Sequence, residues 1–109
     1  MHVGLNHPEL FRTVASLSGS LVPTDVGEEG RSSFDARFGP ALAATHVRDY
    51  RLIWVGCGSE DVFYGGAKGF AERLKSVKIP HIFHQFSGPH AMPVARLELA
   101  ELLPLLFRP

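Results

Sequence analysis

Cysteine is nearly absent from these 109 residues: Cys57 stands alone. A lone cysteine excludes an internal disulfide framework and is compatible with a reducing compartment. An excess of charge is missing too, since eleven Lys and Arg balance eleven Asp and Glu. That balance leaves neither the basic footprint of a nucleic-acid binder nor a field that draws the chain to a membrane surface. No apolar stretch reaches the length of a membrane span, and Met1 to Leu10 lacks the basic start and apolar core of a signal peptide. The cytoplasm is the expected location. Neither G-x-x-x-x-G-K-[ST] nor G-x-G-x-x-G order occurs, so no phosphate-cradling loop is expected. The six histidines do not share ligand spacing. His81 and His84 fall in one strand-like run and point to opposite faces, and His2, His7 and His46 have no partner at ligand distance, so neither a metal nor a cofactor is expected.

What is present reads as one α/β domain that buries roughly 60 to 70% of its unfolded surface. Its organising stretch is Arg51 to Asp61, RLIWVGCGSED. Leu52 to Val55 is an unbroken apolar run ending in Gly56-Cys57-Gly58, the pattern of a parallel strand buried on both faces. Two glycines let the chain leave the sheet, and Asp61 lies wholly beyond it. Ligands of open α/β sheets bind outside the carboxyl ends of the strands, which makes Asp61 a candidate functional group. His90, in Ser87-Gly88-Pro89-His90 just past a second apolar run, is the matching candidate.

The remaining elements follow in order. Met1 to Asn6 suits the last turn of a helix, broken by His7-Pro8. Thr13 to Ser18 is a β-prone run closed by Gly19. Leu21 to Tyr50 is irregular and reads as an excursion over the sheet that forms one wall of a pocket. Within it Phe34 and Phe38 share a helical face, Gly39-Pro40 interrupts, and Ala41 to Val47 is a weak helix. Phe70, Leu74 and Val77 predict an amphipathic helix over Ala67 to Val77. His81 to Phe86 is an edge strand, completing a right-handed βαβ unit. Val94, Leu97, Leu99, Leu102, Leu103 and Leu106 mark a final helix, with Pro93 in its first turn and Pro104 bending or ending it.

HPELFRTVASLSGS, RLIWVGCGSED, HQFSGPH and the leucine-rich helix ending LPLLF stand in an order that resembles the C-terminal part of the α/β-hydrolase family of esterases. The likeness is strongest to the putative-esterase branch that includes feruloyl, esterase-D-like and enterochelin-esterase-like enzymes. It runs over nearly all of the chain. The resemblance implies a partial α/β-hydrolase fold of about three parallel strands flanked by helices, and a Ser, Asp, His triad cleaving carboxylic esters through an acyl-enzyme. By position, Asp61 matches the acid and His90 the base.

Two departures accompany it. No G-x-S-x-G elbow is present to carry the nucleophile, and Met1 to His7 resembles the tail of the helix that follows such an elbow. Loss of a triad serine costs about six orders of magnitude in turnover. Met92, Pro93 and Val94 also stand where the family often has tryptophan. Ser18 and Ser20, flanking Gly19 at the exit of the first strand, are the substitute nucleophiles available, against a plain role as turn residues. Cys57, inside a strand between glycines, reads more simply as a small buried hydrophobe.

Three classes of function are therefore carried forward. The first is an esterase acting on a short-chain or aromatic ester. The second is an inactive or truncated hydrolase fragment. The third is a binding module whose first strand leaves an exposed sheet edge, for which a homo-oligomer is expected.

Overall fold

The computed structural model describes residues 1–21, 36, 38–43 and 49–108. The elements are α1 (His2–Asn6), β1 (Thr13–Leu17), β2 (Leu52–Gly58), α2 (Tyr64–Ser76), β3 (Ile82–Phe86) and α3 (Met92–Leu106), with residues 38–43 also helical. The strands form one parallel sheet in the order β1-β2-β3. Register runs from Thr13 opposite Leu52 to Leu17 opposite Gly56, and from Trp54 opposite Ile82 to Gly58 opposite Phe86. The apolar run thus lies in the central strand, where every residue after Leu52 is buried. A strand covered on both faces has no polar side, which is why its sequence shows no alternation.

Pleating sends successive side chains of β2 to opposite faces and builds two cores. Ile53, Val55 and Cys57 pack with Leu5 of α1, Phe38, and Phe70 and Leu74 of α2. Phe70 meets the Phe38 ring edge-on at 5.0 Å. On the other face Trp54 and Phe86 pack with Val94 and Leu102 of α3. The result is three layers, helices on both sides of a parallel sheet. Gly56 follows from this packing, because a Cβ there would overlap the Trp54 indole on the same face. With only 1% of its surface exposed, Trp54 anchors the second core, and its truncation to alanine costs about 3 to 5 kcal/mol.

Two sequence expectations change. Gly39-Pro40 does not interrupt: residues 38–43 are helical, and Phe38, Ala41 and Leu42 are buried against the sheet. Packing of an apolar face outweighs local propensity in so short a helix. Of the predicted Ala41 to Val47 helix, residues 44–47 lie outside the described residues, as does Phe34. Helix α2 begins at Tyr64, three residues ahead of the predicted start, because Gly66 already faces the core and adds a turn to the buried stripe of Ala67, Phe70, Ala71 and Leu74.

The last helix departs further. Its buried residues are Val94, Glu98 and Leu102, spaced four apart, whereas Leu97, Leu99 and Leu103 are exposed. A carboxyl occupies the middle of the buried stripe. Pro104 lies inside the helix, whose final turn is held by Arg51. The guanidinium donates to the carbonyls of Leu105 at 3.2 Å, Leu106 at 2.7 Å and Arg108 at 2.9 Å, and to Thr13 Oγ1 at 3.3 Å. A cation is thereby placed at the negative end of the helix. Among the described residues no helix is long and apolar enough to cross a membrane.

Candidate active site

At the carboxyl ends of β2 and β3 the two exit loops are laced together. Ser59 N–H donates to the Phe86 carbonyl at 2.7 Å and Glu60 N–H to the Gly88 carbonyl at 3.0 Å. Gly58 lies so near this second loop that a Cβ would overlap the Gly88 carbonyl. Gly88 has φ of +128°, a conformation open to glycine and strained for other residues. These contacts carry His90 back over the loop that follows β2.

His90 Nδ1 and Asp61 Oδ2 are 2.7 Å apart. The other carboxylate oxygen, Oδ1, accepts the Phe63 N–H at 2.8 Å. The Asp61 side chain is fully buried, while that of His90 is 54% exposed. The Phe63 ring stands edge-on to the imidazole with centroids 5.3 Å apart, covering one side of it. Because a carboxylate accepts and does not donate, the Nδ1 proton is assigned to the shared bond, which leaves Nε2 as the proton acceptor. An imidazole held this way takes a proton from a hydroxyl, and the buried carboxylate stabilises the imidazolium that forms.

The two serines proposed from the sequence differ in environment. Ser18 is buried, has φ of 54°, and donates its hydroxyl to Glu98 Oε1 at 2.5 Å. Ser20, two residues further on, is exposed. Cys57 is fully buried on the central strand. Its thiol is pushed up to about 11, first by burial, then by the negative charges of Asp61 and Glu98; hydrogen bonding to Ser18 acts the other way. A thiol so raised and enclosed is a weak nucleophile.

Glu98 is the residue that sequence reasoning passed over. It is wholly buried, and its second oxygen, Oε2, has no hydrogen-bond partner among the described residues. Burial raises its pKa above the ordinary carboxyl range; the Ser18 bond opposes this, the Asp61 charge adds to it, and His90 opposes it. The available signal was position: Val94, Glu98 and Leu102 share one helical face, so an apolar neighbour on each side announces burial. Among the described residues no group of three His, Cys, Asp or Glu side chains is arranged to hold a metal ion.

An α/β sheet with helices on both faces and a hydrogen-bonded Asp and His at its carboxyl edge is the frame of a hydrolase-like fold. A solved ferulic acid esterase superposes on this chain with a TM-score of 0.76 at 19% sequence identity. The superposition covers 96% of this chain and 44% of that one, so the chain spans less than half of the esterase it matches. At that identity the likeness is one of fold. No protein-family model matches the sequence, and no curated protein does.

Proposed function

We propose that this chain carries the acid and base of a carboxylic-ester hydrolase of the serine type. The observation that carries the reading is the 2.7 Å contact between His90 Nδ1 and the buried Asp61 carboxylate at the carboxyl edge of the sheet. In this mechanism Nε2 of His90 accepts the proton of an attacking hydroxyl as its oxygen bonds to the ester carbonyl carbon. The same proton passes to the departing alkoxide, and a water molecule then repeats the sequence on the acyl-enzyme. Asp61 holds the imidazole in orientation throughout.

The nucleophile is a hydroxyl outside this pair. Within the chain the candidates are Ser20, exposed at the exit of β1, and Ser18, whose hydroxyl is donated to Glu98. The substrate class we favour is an ester of an aromatic acid. Support comes from the name of the ferulic acid esterase that shares the fold and from the Phe63 ring against the imidazole.

The test is intact-mass analysis after incubation with a fluorophosphonate, followed by peptide mapping, together with aryl-acetate hydrolysis by the native chain and by His90→Ala. An adduct on Ser18 or Ser20 that is lost in His90→Ala supports the proposal. Absence of an adduct, with hydrolysis indifferent to His90→Ala, refutes activity of this chain by that mechanism.

A second reading has its own observation. The outer edge of β1 has no strand partner among the described residues, and Leu17 on that strand and Leu97 and Leu103 on α3 are exposed. An open edge beside apolar surface favours assembly with another copy through β1. Sedimentation as a clean monomer at micromolar concentration removes this reading.

A further inference from the structure

A second polar cluster lies beneath the Asp61 and His90 pair. Glu98 reaches from α3 to the exit of β1, where Oε1 accepts the Ser18 hydroxyl at 2.5 Å. Ser18 N–H in turn donates to the Gly56 carbonyl of β2 at 2.9 Å, so the β1 exit is pinned to the central strand as well as to the helix. Cys57 follows Gly56 on β2 and is buried, and beyond it the chain turns back so that Asp61 N–H donates to the Gly58 carbonyl at 3.1 Å. Glu98 and Ser18 thus hold one side of the end of β2, and Asp61 and His90 stand on the loops that leave its other side. Of these four side chains all but that of His90 are buried.

Ser18 adds a further constraint. Its φ of 54° is uncommon for a residue with a side chain and holds only where the surroundings determine it. The bond to Glu98 is the side-chain interaction available to determine it. An enclosed carboxyl with one oxygen bonded and the other bare is also costly as a structural filler, since an apolar side chain of similar volume would carry no such penalty.

We propose that Glu98 is a positioning residue for the Asp61 and His90 pair: it fixes Ser18 in its left-handed conformation, and through the Ser18 bond to Gly56 it holds the end of β2 from which the Asp61 loop departs. The catalytic importance of this role rests on the esterase reading above. The positional claim is tested on the pair itself, so failure of one does not imply failure of the other.

The measurement is the ¹⁵N-edited proton spectrum of the histidine side chains in the folded 109-residue chain, read for the hydrogen-bonded Nδ1–H of His90. Backbone amide resonances of β1 to β3 report folding in the same samples. Glu98→Gln keeps an oxygen for Ser18 and retains the signal, whereas Glu98→Leu loses it with the strand amides unmoved. Ser18→Ala, which removes only the hydroxyl, loses it too, and this variant decides the matter if Glu98→Leu does not fold. Retention of the signal in folded Glu98→Leu or Ser18→Ala overturns the proposal. Loss in Glu98→Gln overturns it as well, because charge and not placement would then be the operative property.

Discussion

Replacing Glu98 by glutamine removes one ionisable proton from the interior and changes the shape of the site very little. In the native chain the carboxyl is fully enclosed, with burial and the Asp61 charge both favouring its neutral form. The sign follows from linkage. A folded-state pKa above the unfolded value means that the native state binds more protons, so stability declines as pH rises from the unfolded value toward the folded one. The contribution is complete below about pH 4.3, the pKa of an unperturbed glutamate. It falls by up to about 1.4 kcal/mol per pH unit inside the window and levels off above the folded pKa.

Glutamine has no such slope. With urea m-values of about 1 to 3 kcal/mol/M for a small domain, the native midpoint should move relative to Glu98→Gln by roughly half to one and a half molar per pH unit within that window. Urea unfolding of both proteins at pH 5, 6, 7 and 8 measures this directly. All other acids and histidines are shared, so the difference between the curves isolates Glu98. A gap that grows in favour of glutamine with rising pH is the expected outcome. Parallel curves across all four values would refute the argument, and a gap in favour of the native chain at pH 8 would mean that the carboxylate is held ionised by a partner.

Two further outcomes follow from other groups. Cys57, with its thiol near 11, holds about one thiolate in ten thousand at pH 7, against a few per cent for an unfolded cysteine. Iodoacetamide should therefore label it at least about a hundredfold more slowly in the folded chain than in urea, and equal rates would show that the β2 core opens readily. Arg51→Ala removes the donors from three carbonyls at the end of α3, at a cost of about 1 to 2 kcal/mol for charge-assisted bonds on an exposed side chain. Thermal unfolding should fall by about 4 to 8 °C per kcal/mol, and hydrogen exchange should quicken in residues 103–107 first; an unchanged melting curve would count those contacts as incidental.

How much of this was legible in the sequence varied with the physics of each element. β2 was readable because a strand enclosed on both faces must be apolar throughout, and the glycines that end it have few other uses. The positions of Asp61 and His90 beyond the strands were readable for the same reason, but their contact was not. That contact depends on Gly58 lying against the Gly88 carbonyl, an approach between residues thirty apart in the chain that neither segment encodes alone. Helix 38–43 is not legible locally, because propensity at Gly39-Pro40 is a local property and burial of Phe38 is not.

Glu98 shows the limit most clearly. Six apolar residues in the last helix cannot all face the sheet, and choosing among them by hydrophobicity selects the leucines at 97, 99 and 103, which are exposed. The choice is made instead by where α3 meets Trp54 and Phe86, and that direction brings an acid inward with Val94 and Leu102. An apolar residue at position 98 would have completed the stripe. The presence there of a carboxyl bonded to a left-handed serine is where the sequence departs from the simplest packing solution, and such departures concentrate where a chain is shaped by function as well as by stability.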